Sequence, residues 1–130
     1  KKLNKDLGFS PEDRRENLRR VAFVANILSN NNIAVLASFV SPEREMREWI
    51  RANVTNYVEV YVHTRPEECA RRDVKGMWAK AKKGEIKGFT GYDAPYDIPK
   101  NPEITVYTEY ESVNECVNKI IGYLKEKGLI

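Results

Sequence analysis

Residues 33–42 read Ile33-Ala34-Val35-Leu36-Ala37-Ser38-Phe39-Val40-Ser41-Pro42. From Ile33 to Phe39 the run is nearly continuous in apolar residues. A half-buried strand alternates apolar with polar, so this run predicts a strand covered on both faces, as in a parallel sheet. Ser41-Pro42 then gives a cap-plus-proline signal for a charged helix reaching about Ala52. Upstream, Ser10-Pro11-Glu12-Asp13 repeats that signal, with Asp13 at the capping-box position. Leu18, Val21, Ala22, Ala25 and Leu28 keep helical spacing until Asn30-Asn31-Asn32.

Downstream the alternation continues. Tyr57 to Val62 reads as a second strand, and Thr64 to Glu67 as a capping box for a short helix to about Arg72. Gly76 to Lys83 is a basic helical piece. Gly84, Gly88, Gly91, Pro95, Pro99 and Pro102 punctuate a long loop, the kind of segment that serves as a lid. Ile104 to Thr108 reads as a third strand. Ser112 with Glu115 caps a last helix, whose Val113, Cys116, Val117, Ile120, Ile121 and Leu124 are expected to face a core. This order predicts the α/β class, a three-layer α/β/α sandwich with a parallel sheet. Ligands of such sheets bind beyond the carboxyl ends of the strands, which marks Ser41, Thr64 and Thr108. Three strands make a thin sheet, so further strands are expected upstream.

The 130 residues suit one domain, taken as 1–130. Lys and Arg total 22 against 19 acidic residues, a net charge of +3 that is too small to argue for a nucleic-acid partner. No apolar run is long enough for a membrane span. The first residues lack an apolar signal region, so a cytoplasmic location is expected. Cys69 and Cys116 form no disulfide framework or zinc motif, and read as small core residues. The single histidine, His63, excludes a histidine metal cluster and reads as a surface residue at a strand end. Trp49 reads as the anchor of its helix.

Two places could carry chemistry. In Lys87-Gly88-Phe89-Thr90-Gly91-Tyr92-Asp93, glycines flank a ring that offers a flat face to a base, although a ring plugging the core would give the same pattern. In Leu7-Gly8-Phe9-Ser10-Pro11, a second ring precedes Arg14 and Asn17, three apart on one helix face near its positive end. A guanidinium fork, an amide and a helix dipole suit an anion. Arg14 paired with Asp13 or Glu16 on a solvated face is the plainer alternative.

The strings LNKDLGFSPEDRRENLRR (residues 3–20), ASFVSP (37–42), RRDVKGMWAKAKKGEIKGFTGYDAPY (71–96) and KNPE (100–103) together resemble the adenylylsulfate kinase family. The resemblance implies a P-loop nucleoside-kinase fold and transfer of the γ-phosphoryl of ATP to the 3′-hydroxyl of adenylylsulfate. The product would be 3′-phosphoadenylylsulfate, the activated sulfate of sulfate assimilation. It further implies that Phe9 and Phe89 sandwich the adenine of adenylylsulfate and that Arg14 and Asn17 hold its phosphosulfate and ribose. Val40, Ser41, Lys75 and the backbone of Gly88 would also touch that substrate. Arg72 would pack on the ATP adenine, and a lid would span about 72–96. Ser41 matches a serine proposed as phospho-acceptor in parts of the family, but no base is evident beside it. Capping the helix at Pro42 is a sufficient role for it.

The chain departs from the family pattern as well. The P-loop, G-x-x-x-x-G-K-[ST], and the Asp-Gly-Asp-Asn-x-x-Arg segment do not occur in these residues. Glu43 stands where the family usually has Tyr, and Met77-Trp78 where Leu-Tyr is common. The chain is therefore expected to be the C-terminal portion of the kinase domain, with most magnesium ligands on an upstream segment. ATP, Mg2+ and adenylylsulfate are the expected cofactors and ligands. A homodimer, or fusion or association with a sulfate adenylyltransferase, is the expected assembly. The alternative is a P-loop-less regulatory module that binds adenylylsulfate or its product without catalysis.

Overall fold

Ser10 and Pro11 start the first helix where their chemistry predicts. In the computed structural model, which describes residues 3–130, α1 (Pro11–Ser29) begins with the Ser10 hydroxyl accepting from the Asp13 amide at 3.1 Å. The Asp13 carboxylate does not close a capping box; it accepts from the Gly8 amide at 3.0 Å instead, and so folds the Gly8–Phe9 approach onto the helix. Lys1 and Lys2 lie outside the described residues.

The chain divides into two units after Tyr57. In the first, α1 packs on α2 (Arg44–Asn53), with Leu18, Ala22 and Met46 buried. Arg15 reaches Glu43 at 2.6 Å, while Asn26 and Ser29 bond to Thr55, so both ends of α2 are tied to α1. The predicted strand Ile33–Phe39 does not form. Residues 33–40 are exposed and join no sheet among the described residues, with Leu36 96% and Val40 64% exposed. Apolar composition sets a preference for extended backbone, but a strand exists only where a neighbour completes its ladder. The helix expected at Pro42 starts two residues late, at Arg44, behind an N-cap at Glu43. Arg47, a buried cation, donates to the Ser41 carbonyl at 2.6 Å, and the N-cap is Glu43 rather than Ser41.

In the second unit β1 (Val60–His63) pairs in parallel with β2 (Ile104–Tyr107), Val60 opposite Ile104 and His63 opposite Tyr107. Ile104 and Val106 are buried, each contributing about 1.5–3 kcal/mol on full burial. Helix α3 (Pro66–Arg72) follows β1, and α4 (Met77–Lys82) lies between Gly76 and Lys83 as expected. Helix α5 (Val113–Glu126) packs on β2 behind a complete Ser112–Glu115 capping box. Its core face is shallower than its spacing predicts. Cys116, Ile120 and Leu124 are half-buried, whereas Val113, Val117 and Ile121 face solvent, since a two-stranded sheet covers only part of a helix stripe. No described helix is long and apolar enough to cross a membrane. The fold class is α/β with a parallel sheet.

Candidate functional site

The parallel pairing brings the carboxyl ends of β1 and β2 side by side, and a polar cluster forms there. Thr64 was expected to cap α3; the N-cap is Arg65, without a side-chain cap bond. The Thr64 hydroxyl instead meets the Thr108 hydroxyl at 2.5 Å, because the in-register strands end together. Arg72, at the end of α3, donates to Thr108 Oγ1 at 2.9 Å and to the Thr108 carbonyl at 2.8 Å. Its Nε donates to Glu68 at 2.7 Å. Glu68 also pairs with Arg71, and these two cations, Arg71 foremost, hold its carboxyl down at about 2. Glu109 accepts from the Arg65 amide and guanidinium, both at 2.8 Å, which lowers its pKa. Glu68 and Glu109 were missed in the sequence reading. The three- and four-residue spacing from Glu68 to Arg71 and Arg72 was the available signal.

His63 ends β1 as expected and is half-buried rather than fully exposed. Its ring stands 5.5 Å from Tyr61 and 5.2 Å from Tyr107, and Nδ1 is buried without a partner. Cys69 and Cys116 are half-buried free thiols, both pushed up by burial.

The glycine loop is held by one carboxylate. Asp93 accepts from the amides of Gly88 at 2.9 Å and Phe89 at 2.5 Å, bonds that lower its pKa, that from Gly88 foremost. Gly88 sits at φ 65°, where an L side chain would be strained. Phe89 is half-buried, and its carbonyl takes the amides of Tyr92, Asp93 and Ala94, closing a tight turn. Lys75, in the turn closed by Gly76 N donating to the Asp73 carbonyl at 2.8 Å, is exposed.

In the first unit Phe9 is 87% exposed. Arg14 and Asn17 lie one turn apart on α1, and Asn17 accepts from the Asn4 side-chain amide. Arg20 binds Asp6 at 2.7 and 2.8 Å and the Leu3 carbonyl at 3.0 Å, pinning the residues that lead into Gly8–Phe9. Arg20 also keeps the Asp6 carboxyl at about 2. Ser41 takes a φ of 40° with exposed Val40 before it. A groove of about 330 Å³ runs between Leu3, Glu16, Phe23 and Trp49, and none of the candidate substrate-binding residues lines it. Trp49, on α2, forms one wall of the groove and is 39% exposed. Phe9, Arg14, Asn17, Val40 and Ser41 thus belong to one unit, and Arg72, Lys75, Gly88 and Phe89 to the other.

Among known proteins, the family model described as adenylylsulphate kinase matches residues 1–107. An adenylyl-sulfate kinase of a Picosynechococcus species is 48% identical over 128 residues, covering 98% of this chain and 72% of the relative. That of Halothermothrix orenii is 49% identical, covering 98% of this chain and 69% of the relative. The Mycobacterium tuberculosis APS kinase, solved in complex with AMPPNP and APS, superposes with a TM-score of 0.85 at 41% identity, covering 95% of this chain and 73% of that one. With sequence and fold in accord, the chain belongs to the adenylylsulfate kinase family.

Proposed function

We propose that the chain supplies the acceptor-binding and lid residues of an adenylylsulfate kinase, which moves the γ-phosphoryl of ATP to the 3′-hydroxyl of adenylylsulfate. The observation that carries this reading is the 48% identity to a named adenylyl-sulfate kinase over 98% of the chain. Phe9 and Phe89 stack on the two faces of the purine, and Arg14 and Asn17 bind the phosphosulfate and ribose. Val40, Ser41, Lys75 and Gly88 contact the same substrate. The fixed guanidinium of Arg72 packs on the ATP adenine. Ser41 acts as a contact, and transfer is direct: an in-line attack by the 3′-hydroxyl needs no covalent enzyme intermediate.

Magnesium would bridge the ATP phosphates, but the described residues gather no group of three or more His, Cys, Asp or Glu side chains suited to a metal. The reading implies a reducing cytoplasm, in keeping with unpaired Cys69 and Cys116, and leaves room for a homodimer or association with a sulfate adenylyltransferase.

The test is formation of 3′-phosphoadenylylsulfate from adenylylsulfate by the full-length protein and by its Phe89→Ala variant. Turnover that drops about tenfold or more in kcat/KM for adenylylsulfate supports the reading. An unaltered rate removes the stacking role. Binding of adenylylsulfate without any turnover would favour the regulatory-module alternative.

A further inference from the structure

The segment 88–93 wraps around one side chain that the proposed site does not use. Trp78, in the first turn of α4, is half-buried. Its ring meets Phe89 nearly at right angles, 83° at 5.3 Å between centroids, and meets Tyr92 at 75° and 6.3 Å. Between those two rings comes Gly91, at φ 89°, where an added Cβ would stand 3.4 Å from Trp78 Cη2. Three of four consecutive loop residues therefore rest on one indole. The backbone that carries the indole is itself fixed. Asp73 accepts from the Trp78 amide through Oδ1 and from the Ala79 amide through Oδ2, both at 3.0 Å. The Asp93 carboxylate fastens the other side of the same loop at Gly88 and Phe89.

Edge-to-face aromatic pairs have a preferred angle, so the partner of a ring sets its plane as well as its position. A ring that stacks on a purine works only in one plane. We infer that Trp78 is a positioning residue for the purine subsite: it sets the plane of the Phe89 ring, and so links the placement of α4 to adenylylsulfate affinity. This rests on the reading of Phe89 as a purine-stacking residue. Trp78 itself touches no substrate; it acts through Phe89.

The experiment is a double-mutant cycle read by calorimetric titration of the chain with adenylylsulfate. Trp78→Leu keeps apolar bulk against Gly91 and removes the ring, Phe89→Leu does the same at the stacking position, and Trp78→Phe restores a ring. Trp78→Leu is expected to weaken binding about three- to tenfold, the size of one aromatic pair. In the Phe89→Leu background it should add less than about twofold, because coupled neighbours are not additive. Trp78→Phe should return affinity to within about twofold of the parent. If circular dichroism shows Trp78→Leu unfolded, Trp78→Met is read in the same cycle. Parent-like binding by Trp78→Leu, or the same loss in both backgrounds, overturns the inference and leaves the purine reading standing. Parent-like binding by Phe89→Leu, or no binding by the parent, overturns both.

Discussion

Arg72 grips Thr108 at two atoms, with Nη1 donating to the hydroxyl at 2.9 Å and Nη2 to the carbonyl at 2.8 Å. Two bonds from one planar fork fix the plane of the guanidinium, which is what stacking on a nucleotide base requires. Thr108→Val keeps the shape of the side chain and deletes one of these bonds. It should raise KM for ATP about three- to tenfold, with KM for adenylylsulfate unchanged, in steady-state assays that vary each substrate in turn. Equal rises for both substrates would show a general loss of structure instead.

Asp93 should matter more than its exposure suggests. Asp93→Ala frees the amides of Gly88 and Phe89, which the carboxylate holds by two charge-assisted bonds. Faster cleavage within residues 84–96 under limited proteolysis, and adenylylsulfate affinity reduced about tenfold, are the expected results. Asp93→Asn retains one acceptor oxygen and should fall between parent and alanine variant.

Glu68 makes a pH prediction with a definite sign. Its carboxyl is lowered from 4.5 to about 2 by Arg71 and then Arg72. Above pH 4.5 the carboxylate is ionised in folded and unfolded chains alike, and the pairing contributes fully. Between 4.5 and about 2 the unfolded chain takes up a proton that the folded chain refuses, so stability falls with pH. Asp93 and Asp73, also lowered, act in the same sense as pH falls below their ordinary value of 3.8. Thermal midpoints of Glu68→Gln should fall less steeply than those of the parent across that interval. Parallel curves would contradict this.

Arg14 and Asn17 should separate the two nucleotides. Arg14→Ala and Asn17→Ala are expected to weaken adenylylsulfate about ten- to a hundredfold while leaving ATP within about twofold, by calorimetric titration. Equal losses for both would move these residues out of the acceptor subsite.

How much of this was legible in the sequence depended on whether the cause was local. The Ser10 and Ser112 caps, the α4 bounds and the strand at Ile104 follow from neighbours within four residues, and they appear where expected. Cys116, Ile120 and Leu124 do form the inner stripe of α5, but only half-buried, because burial depends on what a sheet can cover. The run 33–39 failed for the same reason: no local pattern specifies a partner, and it pairs with no strand among the described residues. Thr64 and Thr108 were marked as strand ends, and the pairing register brought their hydroxyls together. Arg47 could not be foreseen as a buried cation on the Ser41 carbonyl, since that bond competes with a capping signal that reads well alone.

The extended stretch at 33–40 has a practical outcome for handling the protein. Backbone amides and carbonyls that no ladder occupies, flanked by oily side chains such as Leu36 and Val40, are a template for another copy to pair against. Turbidity in concentrated solutions should begin at this edge, and a lysine replacing Leu36 is the simplest way to keep the chain dispersed.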